Sequence, residues 1–283
     1  MSARMPELGR VFLQAESEVA AINMVYGAAG AGVRAMTSSS SPGISLKTEG
    51  ISYIAGADLP CVIVNIVRAG PGLGGIQPAQ SDYFQAVKGG GHGDYRMMVI
   101  APSSIQETVD STINAFELAD KYRMPVMLMG DGMLGQMMEP VVFPEGGNAP
   151  LPKKEWATTG TKMRRKANII NSLYIQPEEF EQIIFDRQKK YDIIEENEVK
   201  YETEGLDGVE IVLVAYGTTA RVVKETIALA KNEGIKAGLI RPITLWPFPV
   251  GAFNRINTRV KSKKRYLVLE MSYGQMVEDV RLA

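Results

Sequence analysis

One cysteine and one histidine are all that this 283-residue sequence holds of the two best transition-metal ligands. A lone Cys61 cannot close a disulfide within the chain, and the pair is too few for a four-cysteine cluster, a zinc finger or a histidine-rich metal site. Metal redox chemistry would have to reside on a partner. Cys61 itself sits in Leu59-Pro60-Cys61-Val62-Ile63-Val64, the pattern of a buried strand, where a thiol serves as a small core hydrophobe. An excess of one charge is also missing: 31 Lys and Arg face 32 Asp and Glu, a formal charge of −1. That excludes the large electrostatic footprint of a nucleic-acid or anionic-membrane binder. No apolar run nears the roughly 18 residues of a membrane helix, and the opening residues lack the apolar core of a secretory signal. A soluble protein of a reducing cytoplasm is expected.

What is present is ordinary globular material, 45% hydrophobic and 7% aromatic, long enough for about two domains at roughly 150 residues each. Short apolar runs at 33–37, 61–67, 97–101 and 125–129 alternate with helical patterns at 17–31, 44–57 and 104–122. This alternation predicts a parallel sheet covered by helices over residues 1–145. Residues 146–208 change texture, with Pro150, Pro152 and a basic group of Lys153, Lys154, Arg164, Arg165 and Lys166, read as a solvated face. They form a connector in which Pro177 can open a helix. A second α/β unit is expected over 209–283: strands at 209–215, 236–240 and 265–270, a turn at 217–219, and a helix at 222–230. The chain stops inside a helical pattern.

Several motifs carry possible chemistry. Gly70-Pro71-Gly72-Leu73-Gly74-Gly75 satisfies G-x-G-x-x-G after a strand, but Pro78 lies where a phosphate-binding helix would run, so a loop is expected instead of a dinucleotide site. Gly130-Asp131-Gly132 resembles the start of the thiamine-diphosphate fingerprint. Its downstream Asn pair is missing, with only Asn148 following, so a strand-end turn is expected and no metal is assigned to this chain. His92, in Gly91-His92-Gly93-Asp94, is the single imidazole and a candidate substrate contact, the alternative being a solvated or structural loop residue. Glu18 lies at the first turn of a mostly apolar helix, beside Glu16 and Ser17. Capping and helix-dipole stabilisation would account for it, and so would catalysis.

A longer match separates these alternatives. Glu18 with Gly27, and Val33-Arg34-Ala35-Met36-Thr37-Ser38-Ser39-Ser40-Ser41-Pro42-Gly43, resemble the pyrimidine-binding domain of thiamine-diphosphate enzymes. Asn65-Ile66-Val67-Arg68-Ala69-Gly70-Pro71-Gly72, Gln80-Ser81-Asp82, Gly91-His92-Gly93, Gly238-Leu239-Ile240-Arg241-Pro242, Pro247-Phe248-Pro249 and Gly274-Gln275-Met276 are similar to the alpha subunit of 2-oxoacid:ferredoxin oxidoreductases. The similarity covers nearly the whole chain and is greatest to the 2-oxoisovalerate, branched-chain type. Members usually carry a preceding strand with a Tyr-Pro-Ile-Thr-Pro segment, and this sequence reads as beginning after it and ending early.

The resemblance implies two doubly wound parallel-sheet α/β domains, a thiamine-diphosphate pyrimidine-binding domain followed by a transketolase C-terminal-like domain. It makes Glu18 the carboxyl partner of the pyrimidine ring, Ser40 and Gly43 its neighbours, and Arg68 and His92 the substrate contacts. The cofactor would be thiamine diphosphate shared with a beta subunit. Mg²⁺ and iron–sulfur clusters would lie on partner chains, with coenzyme A as co-substrate. Beta, gamma and ferredoxin-like subunits, and ferredoxin, are the implied partners, in a hetero-oligomer that binds neither nucleic acid nor membrane. The implied reaction converts a 2-oxoacid to acyl-CoA and CO₂. A pyruvate or 2-oxoglutarate enzyme, a transketolase-like or NAD-linked component and a non-catalytic assembly subunit are the alternatives.

Overall fold

The computed structural model describes residues 2–144, 151–259 and 265–283. Gly146, Asn148 and Pro150 of the expected connector lie outside the described residues. In chain order the elements are α1 (Arg4–Glu7), α2 (Glu18–Gly30), β1 (Met36–Ser39), α3 (Ser41–Gly56), β2 (Cys61–Val67) and α4 (Tyr83–Val87). They continue with β3 (Met98–Ile100), α5 (Ile105–Tyr122), β4 (Pro125–Asp131), α6 (Pro177–Asn197), β5 (Tyr201–Glu204) and β6 (Ile211–Val214). α7 (Gly217–Asn232), β7 (Ala237–Pro242), β8 (Thr244–Trp246), α8 (Val250–Arg259), β9 (Arg265–Val268) and α9 (Met276–Leu282) complete the chain.

Two sheets result. The first runs β1-β2-β4-β3-β8, the second β5-β7-β6-β9. All pairings are parallel except at one edge of each, where β8 runs antiparallel to β3 and β5 antiparallel to β7. At the centre of the first sheet Val62, Ile63, Val126 and Met127 are buried, as expected of parallel strands covered on both faces. Cys61 is buried among them and burial pushes its thiol up to about 12, which suits a packing role.

The first strand begins later than the 33–37 pattern indicates. Gly32, at φ +86°, and Val33 turn their amides back to Ala29 and Ala28 of α2. These residues close the helix with the left-handed geometry that glycine adopts without strain, and pairing to β2 starts only at Met36. α3 starts earlier than 44 because Pro42 occupies its first turn, where the missing N–H is no loss. The residues read as a turn at 217–219 are instead the first turn of α7. Lys154 departs from the solvated-face expectation: its ammonium pairs with Asp120 at 2.6 Å, and its side chain is 9% exposed.

The strands β5 and β8 have no counterpart in the sequence reading. β8 is three residues between Pro242 and Pro247, too short for a period, and it extends the first sheet although it follows β7 of the second. A second tie between the sheets is Gln80. Its side chain donates to the Tyr216 carbonyl at 2.9 Å and accepts from the Thr219 hydroxyl at 2.8 Å and the Met271 amide at 2.9 Å. The first turn of α7 is thereby held against the loop that follows β2.

Candidate active site

The site lies where α2, β1 and α3 converge. Ser17 caps α2, its hydroxyl accepting from the Ala20 amide at 3.2 Å. Capping is therefore performed by Ser17, and the Glu18 carboxylate is left over. Glu18 is half-buried, and no hydrogen bond or ion pair joins its carboxylate to any described residue. It lies along α3 at Gly43. A Cβ on Gly43 would come within 2.0 Å of the Ser39 hydroxyl, 2.9 Å of Glu18 Cγ and 3.0 Å of Glu18 Oε1. The same helix pair closes again about one turn on in α2 and two in α3, where a Cβ on Gly50 would meet Ile22 at 2.5 Å. Glycines at 43 and 50 on one face of α3 thus admit Glu18 and Ile22 of α2.

Ser40 is the N-cap of α3, with no side-chain capping bond. Its carbonyl accepts from the amides of Gly43 and Ile44 at 2.7 and 3.2 Å, so its hydroxyl remains available. Ser41 joins this turn to the end of β2, accepting from the Arg68 amide at 3.1 Å and donating to the Arg68 carbonyl at 3.0 Å. Arg68 also bridges to Pro78. Its side chain is half-buried, and its Nε is buried without a partner. A guanidinium so placed keeps a buried donor that no described residue accepts from. The structure therefore collects Glu18, Ser40, Gly43 and Arg68 around the N-terminus of α3.

His92 is placed elsewhere. Its carbonyl accepts from the Ser52 hydroxyl at 2.7 Å and its ring meets Tyr53 edge-on at 5.9 Å. Ser52 lies about 16 Å along α3 from Ser41, at ~1.5 Å rise per residue. The loop before His92 packs tightly on the helix: a Cβ on Gly91 would stand 2.6 Å from the Thr48 carbonyl oxygen. The structure does not bring His92 to the Glu18 and Arg68 group. Asp131 spends its Oδ1 on the amides of Met133 and Leu134, at 2.8 and 3.1 Å, which is a strand-end turn. The Gly70–Gly75 motif opens no helix, and Gly74, at φ +55°, leaves a position where a Cβ would stand 1.8 Å from the Ala69 carbonyl oxygen.

One site residue escaped the sequence reading. Lys47, one turn beyond Gly43 on α3, is 1% exposed. Its ammonium donates to the Thr37 hydroxyl at 2.8 Å and to the Ser38 carbonyl at 3.1 Å. Burial lowers its pKa, and the negative charge of Glu18 opposes that shift. The available signal was a lysine among Ile44, Ile51 and Ile54 on the apolar face of a helix.

Comparison with known proteins gives this arrangement its context. The family described as pyruvate flavodoxin/ferredoxin oxidoreductase, thiamine diP-bdg, matches residues 1–204, and pyruvate:ferredoxin oxidoreductase core domain II matches residues 209–283. The chain belongs to the 2-oxoacid:ferredoxin oxidoreductase family. Ketoisovalerate oxidoreductase subunit VorB of Methanothermobacter thermautotrophicus is 55% identical over 282 residues, which cover 100% of this chain and 79% of the relative. The 2-oxoglutarate synthase subunit KorA of Archaeoglobus fulgidus is 36% identical over 99% of this chain and 80% of its own length. In structure, a 2-oxoglutarate:ferredoxin oxidoreductase from Magnetococcus marinus with 2-oxoglutarate, coenzyme A and succinyl-CoA bound aligns at a TM-score of 0.83 and 26% identity. This chain spans 99% of itself and 54% of that longer chain in the alignment. A split-gene transketolase, 13% identical over 99% of this chain and 71% of its own, shares the fold at a TM-score of 0.56. The VorB and KorA relatives are both named as subunits, of a ketoisovalerate oxidoreductase and of a 2-oxoglutarate synthase. Among the described residues, no helix is long and apolar enough to cross a membrane, and no group of three or more His, Cys, Asp and Glu side chains is placed to hold a metal ion.

The site fits the thiamine diphosphate that the family's domain binds. A half-buried carboxylate with no bonded partner among the described residues is free to meet a ring nitrogen, and Gly43, where a Cβ would displace the Ser39 hydroxyl and the Glu18 side chain, lets it sit there. Gly43→Ala tests the fit. Overpacking of this kind costs about 1–3 kcal/mol, so thiamine diphosphate should bind roughly 10- to 100-fold more weakly to the assembled enzyme, as measured by fluorescence quenching on titration.

Proposed function

We propose that this chain is the alpha subunit of a branched-chain 2-oxoacid:ferredoxin oxidoreductase and acts on 2-oxoisovalerate. The observation that carries the reading is the unpartnered Glu18 carboxylate seated on Gly43 in a thiamine-diphosphate-binding domain. The substrate assignment draws on the greater identity to ketoisovalerate subunits than to 2-oxoglutarate subunits. The overall reaction joins the 2-oxoacid and coenzyme A to give acyl-CoA, CO₂ and a proton, while two electrons pass to ferredoxin. Thiamine diphosphate, when bound, would supply the nucleophilic carbon and the electron sink that decarboxylation of a 2-oxoacid needs.

The roles of this chain's own residues follow from their placement. Glu18 shares a proton with the ring nitrogen of the pyrimidine, a charge-assisted bond that only a carboxyl group can make there. Gly43 leaves room for the Ser39 hydroxyl and the Glu18 side chain and so keeps the carboxyl where the ring would meet it, and the Ser40 hydroxyl at the same turn, free of any capping bond, would be its neighbour. Arg68 pairs with the substrate carboxylate and orients it. The single cysteine of the chain leaves iron–sulfur clusters to beta and ferredoxin-like subunits, which together with a gamma subunit would complete the enzyme. The diphosphate and Mg²⁺ would likewise be held by the beta subunit, since Asp131 is committed to its turn.

Reconstitution with the partner subunits, thiamine diphosphate, Mg²⁺, coenzyme A and a viologen dye tests this. Dye reduction should favour 2-oxoisovalerate over 2-oxoglutarate, and Arg68→Met should raise KM. Loss of a charged hydrogen bond worth about 1.5–3 kcal/mol corresponds to roughly a 10- to 100-fold rise. A preference for 2-oxoglutarate would reject the branched-chain assignment, and an unchanged KM would remove Arg68 from the substrate.

A further inference from the structure

The end of the first sheet opposite the pyrimidine site gathers positive charge around one carboxylate. Arg68 follows the last residue of β2, whereas Asp58 and Arg123 stand just before the starts of β2 and β4. The seven residues of β2 set the two ends about 20 Å apart, at ~3.3 Å per residue. Asp58 Oδ1 accepts from the Lys190 ammonium at 2.6 Å and Oδ2 from the Arg187 guanidinium at 3.5 Å, both cations of α6. Its carbonyl accepts from Arg123 Nε at 3.1 Å. Three cations thus share one negative charge, and no other ion pair within 4.0 Å involves any of them among the described residues. Arg187 is 7% exposed, and its Nε is buried without a partner. Burial holds Lys190 below its ordinary pKa; Asp58 opposes that shift, and the positive charges of Arg187 and Arg123 add to it. Arg123 lies over the Trp156 ring, 4.6 Å from its centre, and its two terminal nitrogens bond to no described residue.

Positive charges partly withdrawn from water with too few counter-charges are unfavourable until an anion offsets them. A cavity of about 530 Å³ opens at this cluster, lined in part by Asp58, Arg123, Tyr174, Gln176 and Glu179. That volume admits a small organic ligand. We propose that the cavity is a binding site for a small oxyanion, a carboxylate or phosphate group, held by the Arg123 guanidinium. The planar fork of Arg123 takes two of its oxygens, and the Gln176 amide, without a hydrogen-bond partner among the described residues, is a further donor. Arg187 and Lys190 add their attraction. Of the lining carboxylates, Asp58 is already bonded twice and Glu179 is exposed, so the repulsion Glu179 adds is screened by solvent.

Calorimetric titration of the assembled enzyme, loaded with thiamine diphosphate and Mg²⁺, tests this with two probes. One is inorganic phosphate; the other is isobutyrate, a carboxylate without the keto group of a substrate. At least one should bind with a Kd on the order of millimolar or tighter. Phosphate binding alone marks a phosphate site, and isobutyrate binding alone a carboxylate site. Arg123→Met should weaken the binding at least about tenfold, as expected when a charged hydrogen bond is removed. Failure of both probes to bind, or binding that Arg123→Met leaves unchanged, would overturn the proposal. If Arg123→Met does not assemble, Glu179→Lys on the exposed surface decides: it should tighten binding about two- to fivefold, and unchanged or weaker binding would overturn it. Binding is read without turnover, so the result is independent of the role of Glu18.

Discussion

Glu18→Gln should abolish most of the activity of the reconstituted enzyme while leaving its assembly intact. Glutamine keeps the size of the side chain against Gly43, and Ser17 still caps α2 through the Ala20 amide. The amide cannot exchange a proton with the pyrimidine ring. General acid–base catalysis contributes about 10²–10⁴-fold, so kcat for 2-oxoacid-dependent dye reduction should fall by that factor, with elution in gel filtration unchanged. The competing account makes Glu18 a first-turn acid at a helix N-terminus. There the substitution would remove only about 0.3–1 kcal/mol of dipole stabilisation and leave turnover within a few-fold of wild type. The two outcomes differ by at least an order of magnitude, and the second would also support a purely structural subunit.

The largest expected effect on stability belongs to Arg241. Its side chain is 2% exposed, with Nη1 donating to Glu107 of α5 and Glu202 of β5, both at 2.9 Å, and Nη2 donating to the other Glu107 oxygen. Glu202 is bonded in turn by Lys224 of α7. Arg241 therefore ties β7 of the second sheet to a helix that packs on the first. Arg241→Met would leave two carboxylates facing each other without their shared cation. Removing one partner of a buried pair costs about 3–5 kcal/mol. Because Glu107 and Glu202 keep 38% and 35% side-chain exposure, solvent screening puts the expected loss at the low end, about 3 kcal/mol. Amide exchange at β7 and at the start of α5 should accelerate roughly 100-fold, at about 1.4 kcal/mol per tenfold.

The same cluster makes stability depend on pH with a definite sign. Burial pushes Glu107 upward, but hydrogen bonds from Arg241 and Ser103 outweigh it and hold the carboxyl below its ordinary value of 4.5. Glu202 is lowered likewise, with Lys224 and Arg241 overcoming burial. Groups depressed by folding contribute stability that is complete above their unfolded pKa and lost as pH falls through the folded one. Wild-type protein should therefore lose stability progressively below about pH 4.5, and Arg241→Met should flatten that part of the profile. An Arg241→Met enzyme with an unchanged acid profile would show that the carboxylates are held down by Lys224 and Ser103 alone.

Much of this architecture was legible because hydrophobic periodicity is a local property. The apolar runs at β2, β4 and β7 and the spaced apolar residues of α5 report strands covered by helices wherever they occur in a chain. Boundaries were less legible where a neighbouring element decided them. The first residues of the expected β1 are used to close α2, and the expected turn before α7 is helix because Gln80 holds its first turn. Lys154 was read as solvated because a basic run normally is, while Asp120, distant in sequence, draws its ammonium inward. In the site, Glu18, Ser40, Gly43 and Arg68 were visible as a pattern, but only contact between α2 and α3 showed Glu18 to be unpartnered and Gly43 to be sterically required. Lys47 was hidden by its own type, since a lysine on a helix ordinarily extends into water.

The amino-acid sequence by itself determined the α/β alternation, the absence of cluster-forming cysteines, the balanced charge and the family to which the chain belongs, all of which depend on residue type and near-neighbour spacing. Tertiary structure alone decided that β8 joins the first sheet and that Arg241 links the two. It also decided that His92 stands apart from Glu18 and that the Lys47 ammonium is buried against Thr37 and Ser38 of β1. Those outcomes depend on which distant groups share a low-dielectric interior, where an unpaired charge or a misplaced Cβ is costly, and no local spacing records them.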